Sequence, residues 1–392
     1  MTVSKEIPGD SDDSPLVPRG TLFWANLWMQ ILFIFAWALG WIGTRWGSHR
    51  FKPVQSLKSG ILAIEAGQSA WEHIFFKELG KSAEEFLGDG RVLRLAIRPG
   101  GSYVRQVKVF IRKHAVTHYF YDPRTGSQSW LPAIWESIQL LVFFAGSRVI
   151  PIAYCTDISL RRWRYQVALV SAIRGVCVCL SHSSLVREMF PHSRIIGPSL
   201  MPLSQSTFAH LGTLEAQRRT STPLKVSFYG SLYEPRQSQL DAIREGLISE
   251  GIEFTIKGRV FGGKRIPDDE YWQEILSSDI LVSTSSQAQN SGMDMGEINH
   301  LIYRFTEALA CGVCLVVESA PGARRFFEDG SDLILWNDTN QAVDAVVGLV
   351  NNSNRVEAIR HQGKSTIRQL VETQHFWTEI DAFLGKQSHD FV

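Results

Sequence analysis

The feature that most constrains this chain is an alternation between short apolar runs and segments of helical periodicity. In its N-terminal half the apolar runs Val92–Ile97, Val149–Tyr154 and Val176–Leu180 are bounded by Gly, Pro, Asp or Ser, as buried parallel strands are. Helical spacing over Leu131–Ala145 and Leu160–Ile173 separates these runs. Strand and helix in alternation predict a doubly wound α/β domain.

The C-terminal half repeats this alternation. The predicted strands are Lys225–Tyr229, Glu253–Lys257, Asp279–Ser283, Val313–Ser319 and Leu333–Trp336, and the predicted helices are Gln237–Glu250, Tyr271–Leu276, Leu301–Cys311, Gln341–Leu349 and Val356–Leu384. Gly230 and Gly258 are expected to end the first two strands, and Gly312 to end the helix before it. The sequence therefore predicts an α/β chain of two Rossmann-like doubly wound domains that face a cleft and bind ligands at their strand carboxyl ends.

The chain length agrees with two domains, since 392 residues at roughly 150 per domain leave little for a third. The predicted organisation is a polar leader (1–20), a transmembrane anchor (21–44), an N-terminal domain (60–205), a linker (206–223), a C-terminal domain (224–370) and a closing helix with a tail (371–392). The linker is placed where the sequence is polar and shows little periodicity.

The anchor is predicted from the run Gly20–Thr44, which contains no charged residue. About 20 helical residues cross the hydrocarbon core of a bilayer, and tryptophans concentrate at its two interfaces. Tryptophans occur in pairs one helical turn apart near both ends of the run: Trp24 with Trp28, and Trp37 with Trp41. The alternative interpretation is a buried helix of a soluble core.

The charges around this run predict its orientation. Only Lys5 and Arg19 precede it, whereas four basic residues follow: Arg45, Arg50, Lys52 and Lys58. Basic residues stay on the cytoplasmic side, so we expect a single-pass membrane protein whose catalytic domains face the cytoplasm.

Overall charge and cysteine content exclude two classes of protein. With 40 basic and 39 acidic side chains, the chain lacks the basic excess of a nucleic-acid-binding protein. Five cysteines are too few and too unevenly placed for a disulfide framework, which favours a reducing compartment. Two close pairs, Cys177 with Cys179 and Cys311 with Cys314, could suggest zinc, but they belong to different predicted domains and are better interpreted as core thiols.

The densest chemical signal is the segment RFTEALACG, from Arg304 to Gly312. In a helix Arg304, Glu307 and Cys311 share one face, so a guanidinium and a carboxylate project together. A carboxylate can accept hydrogen bonds from both ribose hydroxyls of a nucleotide. The alternative is a surface ion pair across one turn, worth a few tenths of a kcal/mol.

Several segments in a fixed order carry a family resemblance. RFTEALACG, then a strand, then APGARRFFEDGSDLILW and a closing HFW resemble the C-terminal domain of group 1 glycosyltransferases, most closely the CgeB-type, spore-maturation-like branch. The segment GSLYEPR (Gly230–Arg236) resembles the first glycine loop of those enzymes. The resemblance covers roughly Lys225–Leu384 and implies the two-domain GT-B architecture.

The resemblance also implies residue roles. Glu307 would accept the donor ribose hydroxyls beside Arg304, and Arg236 and Lys257 would donate to the diphosphate. Gly230 belongs to the implied glycine loop. Gly322 belongs to a turn, Ala320–Ala323, that would offer backbone N–H groups.

One position departs from the family pattern. Many retaining relatives place a second glutamate eight positions before the ribose-binding one, and this chain has Asn299 there, with Glu297 two residues out of register. This departure bears on the retaining stereochemistry that the resemblance implies.

The N-terminal domain offers weaker candidates. Asp157 follows a predicted strand, where it could act as a base towards an acceptor hydroxyl or cap the next helix. His118 and Asp122 are expected to be structural. No Asp-x-Asp pair stands at a predicted strand end, so we expect no obligatory divalent metal and no other cofactor.

These observations predict a metal-independent, retaining glycosyltransferase. It would transfer a sugar from a nucleotide diphosphate sugar to a glycan, lipid or protein acceptor. Two alternatives remain open at this stage: a degenerate module that binds a nucleotide sugar or a protein partner, and a nucleotide-sugar epimerase.

Overall fold

The structure, a computed structural model, describes residues 56–122, 130–155, 175–179, 194–218, 223–260, 266–286 and 299–386. Within these ranges it contains two parallel β-sheets flanked by helices, as the alternation in the sequence predicts. The predicted leader, the run Gly20–Thr44 and Asp157 lie outside the described residues.

The first sheet has six parallel strands in the order β2-β1-β3-β4-β5-β6. Its strands are β1 Leu62–Gly67, β2 Val92–Ile97, β3 His118–Tyr121, β4 Ile150–Cys155, β5 Val176–Cys179 and β6 Ile195–Ile196. The helices of this domain are α1 Ile74–Leu87, α2 Tyr103–His114 and α3 Trp130–Ala145, with 3-10 turns at Leu57–Ser59 and Gln68–Glu72.

The second sheet has five parallel strands in the order β11-β10-β9-β7-β8. A connecting helix, α4 Gln205–Glu215, precedes it. Its strands are β7 Val226–Leu232, β8 Phe254–Val260, β9 Ile280–Ser283, β10 Cys314–Glu318 and β11 Ile334–Trp336. The remaining helices are α5 Arg236–Ser249, α6 Asp268–Leu276, α7 Arg304–Ala310, α8 Ala323–Phe326, α9 Thr339–Val350, α10 Ser353–Glu372 and α11 His375–Lys386.

The central strands are continuous apolar runs because helices cover both faces of each sheet. Every residue of β5, β9 and β10 is buried. Side chains cap several of the covering helices: Ser102 accepts from the backbone N–H of Arg105, and Asp338 accepts from that of Gln341. Gly312 follows α7 with a φ of 60°, as expected for the residue that ends this helix.

Three sequence-based expectations about these elements were wrong. The strands predicted to end at Gly230 and Gly258 continue as β7 and β8, because the two strands pair along their full length, out to Leu232 with Val260. The predicted linker 206–223 is not among these three: it begins within the connecting helix α4, whose first turn Ser204 caps by accepting from the N–H of Thr207.

The single helix predicted over Val356–Leu384 is two helices, α10 and α11, which are separated at Gln374 with a φ of 48°. The break turns α11 back onto the first domain. Phe376 and Trp377 are buried there, and the indole N–H of Trp377 donates to Ser82 Oγ at 3.0 Å. The Asp381 carboxylate accepts from the backbone N–H of Leu57 at 2.6 Å. The closing helix therefore joins the two domains.

Three hydrophobic clusters hold the fold together. One packs α2 and α3 against the outer face of the first sheet, and another packs α5 and α9 against the outer face of the second. The third is shared by both domains and includes α1, α7 and α11. In the part of the chain that the structure describes, no helix has the length and apolar character needed to cross a bilayer.

Candidate functional site

The strand order of the second sheet reverses at β7, which lies between β8 and β9. In open parallel sheets such a reversal leaves a crevice at the strand carboxyl ends, where ligands bind. Here β7 ends at Leu232 and leads into α5, while β9 ends at Ser283 and is followed by Thr284 to Ser286. We call this region the switch point of the second sheet.

Arg236, the first residue of α5, links the two strand ends at this switch point. Its Nε donates to Thr284 Oγ1 at 2.8 Å, and its Nη1 donates to the Ser231 carbonyl at 3.0 Å. The guanidinium carbon lies 4.2 Å from the centre of the Tyr233 ring. Burial lowers the pKa of Arg236; Tyr233 opposes that effect, and the positive charge of Arg304 adds to it. Two guanidiniums therefore influence each other at the carboxyl ends of the strands.

Arg304 reaches the backbone of β7 from the first turn of α7. Its Nη2 donates to the Tyr229 carbonyl at 2.6 Å, and its Nη1 lies 3.3 Å from Glu307 Oε2. Gly230 lies beside this contact, and a Cβ there would be tight against the Phe228 ring at 3.0 Å but in ordinary contact with Arg304 Nη2 at 3.6 Å. The Arg304 and Glu307 side chains are only 10% and 4% exposed, so the surface-pair interpretation was wrong.

Glu307 is a buried carboxyl group held by two partners. Besides its pairing with Arg304, its Oε1 accepts a hydrogen bond from the Tyr271 hydroxyl at 2.5 Å. Burial raises the pKa of Glu307, and Arg304 and the Tyr271 hydrogen bond counteract part of that rise. Burial also raises the pKa of Tyr271 well above its ordinary value, so the phenol donates as a neutral hydroxyl. Each carboxylate oxygen can accept two hydrogen bonds, so both oxygens retain capacity.

A second buried carboxyl group, Glu318 at the end of β10, fixes the residues after β9. Its Oε2 accepts from the backbone N–H groups of Ser285 at 2.8 Å and Ser286 at 3.0 Å. Its Oε1 accepts from the Gln239 amide at 2.9 Å. Gln239 Oε1 is buried and has no hydrogen-bond partner in the described ranges. The chain segment that follows β9 at the switch point is thus held by side-chain bonds as well as by an antiparallel bridge between Ser286 and Asn299.

Asn299, at the position where the second glutamate of many retaining relatives would stand, is part of the same arrangement. Its Oδ1 accepts from Ser286 Oγ at 3.1 Å, and its Nδ2 donates to the Ser319 carbonyl at 3.0 Å. Asn299 therefore ties the ends of β9 and β10 together.

Two predicted site residues lie elsewhere. Lys257 is in the middle of β8, not at its end, and its Nζ pairs with Glu274 at 2.5 Å on the surface. Gly322 adopts a φ of 81° and packs against the first domain, where a Cβ would lie 2.3 Å from Pro198 Cγ. Arg325, in the same turn, donates to the Pro198 carbonyl at 2.6 Å. The turn at Gly322 thus contacts the other domain, and the structure joins only Arg236, Arg304, Glu307 and Gly230 near the switch point.

The remaining sequence candidates are core residues. His118 is fully buried with its Nδ1 2.9 Å from Thr117 Oγ1, and Asp122 is buried. All four cysteines of the two close pairs are buried thiols, and burial raises the pKa of Cys314 to about 12. Among the described residues, no group of three or more His, Cys, Asp or Glu side chains is placed to hold a metal ion.

Sequence reasoning missed Tyr271, Glu318 and Gln239. An aromatic residue within a helix indicates a core position, so Tyr271 gave no signal. Glu318 did give a signal, because it is an acidic residue at the end of VCLVV, the apolar run of a buried strand. A carboxyl group in that position needs hydrogen-bond donors nearby, and the chain of the parallel neighbour β9 supplies them.

Comparison with known proteins agrees with this geometry. Residues 231–382, less than half of the chain, match the sequence model of a family described as glycosyl transferase-like. This range contains Arg236, Arg304, Glu307 and Glu318, and over it the C-terminal domain is similar to that family. A search of curated proteins finds no match.

Solved structures share the whole two-domain fold. Alr3699/HepE from Anabaena, solved with UDP and glucose, superposes with a TM-score of 0.55 at 12% identity and covers 83% of this chain and 100% of its own. Sucrose-phosphate synthase from Thermosynechococcus elongatus gives 0.51 at 11% identity, covering 83% and 98%. A glycosyltransferase from Rickettsia africae gives 0.52 at 10%, covering 84% and 98%. At these identities the likeness shows the fold alone, which is GT-B.

Proposed function

We propose that this protein is a glycosyltransferase that moves a sugar from a nucleoside diphosphate sugar to a glycan, lipid or protein acceptor. The observation that carries the proposal is the convergence of Arg236, Arg304 and Glu307 near the switch point of the domain that matches the glycosyl transferase-like family. Cations offset the charge of a diphosphate, and a carboxylate binds vicinal hydroxyls. UDP is the first donor nucleotide to test, because the Anabaena protein was solved with UDP and with UDP-glucose.

Each residue has a proposed role. Glu307 accepts hydrogen bonds from the donor ribose, and the Tyr271 hydroxyl, which now occupies Oε1, shares that oxygen or moves away when the nucleotide binds. Arg236 neutralises the diphosphate, since its Nε and Nη1 bonds to the ends of β7 and β9 hold the guanidinium rigidly in place. Asp157 remains the candidate base towards the acceptor hydroxyl.

The finer features are also part of the proposal. The enzyme belongs to the CgeB-type branch, retains the anomeric configuration and needs no divalent metal, because arginine guanidiniums stabilise the leaving diphosphate. Transfer should proceed undiminished in EDTA. NMR of the first-formed product would report its anomeric configuration.

The uncharged run Gly20–Thr44 is proposed as a single-pass anchor with both domains in the cytoplasm. Removing residues 1–44 should release the protein from membranes that are washed with high salt. A full-length chain that fractionates without detergent would contradict the anchor.

The proposed function is tested by calorimetric titration with UDP and by release of UDP from UDP-sugars. Arg236→Gln should weaken UDP binding at least roughly tenfold, because a charge-assisted hydrogen bond is worth about 1.5–3 kcal/mol. The matched control is Arg244→Gln on the same helix, since Arg244 is exposed and paired with Asp241 at 2.7 Å. Equal affinities for both variants would contradict the proposed donor site.

A second candidate is a module that binds the nucleotide sugar without turnover. The observation in its favour is Asn299, which has no carboxylate to offer a sugar and is bonded to Ser286 and Ser319. UDP binding without transfer from any of a panel of UDP-, GDP- and ADP-sugars would favour this candidate.

A further inference from the structure

Exposed apolar side chains are concentrated on one face of the first domain. Among the residues that the structure describes, four large apolar side chains are exposed: Val109 at 57%, Trp135 at 61%, Val142 at 51% and Ile248 at 63%. Three of these lie on α2 and α3, which pack side by side on the outer face of the first sheet. Ile248 lies alone on the second domain. Isolated exposed apolar residues are ordinary, whereas a cluster marks an interaction surface.

The exposed side chains of α3 share one side of the helix. Trp135 and Val142 are seven residues apart, two full turns, and the half-buried Ile138 lies between them. Leu140 and Phe144 point to the opposite side, into the core. The outer side of α3 therefore presents an aromatic and aliphatic stripe instead of the polar face expected of a surface helix.

The neighbouring helix α2 adds positive charge beside that stripe. Arg105, Val109 and Arg112 are exposed on one side of α2, so a valine lies between two arginines. Lys108 Nζ and the Arg112 guanidinium each lie 5.7 Å from the ring centre of Phe143 on α3. The sequence of the two helices contains four basic residues and one acidic residue: Arg105, Lys108, Arg112, Lys113 and Glu136.

We propose that this α2–α3 face binds the surface of an anionic lipid bilayer. Tryptophan and aliphatic side chains enter the boundary between headgroups and acyl chains, and adjacent arginines and lysines pair with lipid phosphates. Trp135 and Val142 are the inserting residues, and Arg105, Lys108 and Arg112 supply the charge.

The placement of the face in the fold agrees with this partner. The helices α1 and α11 cover the opposite face of the first sheet and contribute to the cluster shared with the second domain. A bilayer on the α2–α3 face would therefore leave the side between the domains accessible. Residues 45–55 connect the uncharged run to Ser56 and span at most roughly 40 Å when extended. If the uncharged run is the proposed anchor, the first domain lies within that distance of a membrane, and the α2–α3 face would supply its orientation. The proposal stands on α2 and α3 and does not rest on the proposed donor site.

The test uses the full chain on vesicles with an environment-sensitive fluorophore at Val142→Cys. The matched control carries the same label at Ile248→Cys, an equally exposed apolar position on the other domain, and labelled wild type supplies the background from native thiols. Vesicles of phosphatidylcholine alone and with phosphatidylglycerol both contain a nitroxide quencher on the acyl chain. We expect the label at 142 to be quenched on the anionic vesicles only and the label at 248 on neither.

Charge reversal separates electrostatic from apolar binding. Arg112→Glu in the labelled Val142→Cys chain should lower the ratio of quenched to unquenched label roughly 30-fold, because each unit of charge near an anionic surface changes binding roughly fivefold. Arg355→Glu, the same change at an exposed position of α10, should leave that ratio unchanged.

Three results would overturn the proposal. The first is a label at 142 that stays unquenched on anionic vesicles, including the case in which the chain does not attach to them. It could be quenched equally on neutral vesicles, or equally at 248. Finally, a change of fluorescence at 142 that depends on protein concentration without vesicles would assign the face to a second copy of this chain.

Discussion

The two sheets share a strand order around their first strands, β2-β1-β3 and β8-β7-β9, yet different polar groups lie beside those strands. In the first sheet, Glu65 of β1 is 1% exposed and accepts hydrogen bonds from the hydroxyls of Tyr103, at 2.8 Å, and Tyr119. In the second sheet, Arg236 bonds to Ser231 near the end of β7 and to Thr284 just after β9. Arg304 bonds to the Tyr229 carbonyl within β7, and Glu307 pairs with Arg304.

The difference shows which domain can bind an anion. Burial and the neighbouring Glu65 raise the pKa of both Tyr103 and Tyr119 well above its ordinary value, so neutral hydroxyls satisfy a buried acid in the first domain. The second domain instead buries guanidiniums that remain charged. Topology alone offers a crevice in each sheet, and the side chains decide that a diphosphate belongs in the second.

The largest expected effect is on stability and concerns the first sheet. Glu65→Ala should lower the free energy of unfolding by about 2–6 kcal/mol, because each of the two buried hydroxyls that loses its acceptor costs about 1–3 kcal/mol. UDP affinity should not change. Urea unfolding and calorimetry measure the two quantities. Tyr103→Phe, which removes one donor and keeps the ring, should cost about 1 kcal/mol. A weaker affinity of Glu65→Ala for UDP would contradict the assignment of nucleotide binding to the second domain.

The corresponding change in the second sheet should act mainly on binding. Glu307→Gln keeps the shape of the side chain and removes its charge, so UDP affinity should fall at least roughly tenfold, which is about 1.4 kcal/mol. Stability near neutral pH should change less than binding, because burial disfavours the charge that Gln removes more than Arg304 favours it. Glu274→Gln is the control, since Glu274 pairs with Lys257 on the surface. Unchanged UDP affinity together with a lowered melting temperature would make Glu307 a structural residue.

The buried Glu307 also predicts a pH dependence. Its pKa in the folded protein is raised above the ordinary value of 4.5, so the folded state holds the proton more tightly than the unfolded state. The stability of the wild type relative to Glu307→Gln should be greatest below about pH 4.5 and should decline as the pH rises through the raised pKa. Urea unfolding of the wild type and of Glu307→Gln across this pH range measures the contribution of Glu307 alone, because every other titratable group is present in both proteins. A difference that grows with pH would show that Arg304 outweighs burial.

The smallest effect is expected at Lys257. Lys257→Ala should change the free energy of unfolding by less than about 1 kcal/mol, since it removes a surface ion pair. UDP affinity should stay within twofold of the wild type, because Lys257 lies in the middle of β8. A tenfold loss of UDP affinity would show that Lys257 belongs to the donor site.

The second domain could be predicted from its sequence more fully than the first. The uninterrupted apolar runs of β9 and β10 and the glycine that ends α7 are local signals, and the structure confirms them. The strands β1 and β3 were not predicted, because each contains a polar residue, Glu65 or His118, within an otherwise apolar run. Glu65 is compatible with burial only through partners such as Tyr103, 38 residues further along the chain, whereas His118 contacts the neighbouring Thr117.

The sequence by itself determined the two-domain α/β alternation and the spacing that places Arg304 and Glu307 on one helical face. Only the tertiary structure decided that this pair is buried, because Tyr271, 36 residues before Glu307, supplies its second partner. The tertiary structure also decided that Lys257 lies in the middle of β8 rather than at its end, because the length of β8 depends on its pairing with β7. The physical reason is common to these cases. Periodicity reports which side of an element is apolar, whereas the environment of a polar side chain depends on groups that folding brings from elsewhere in the chain.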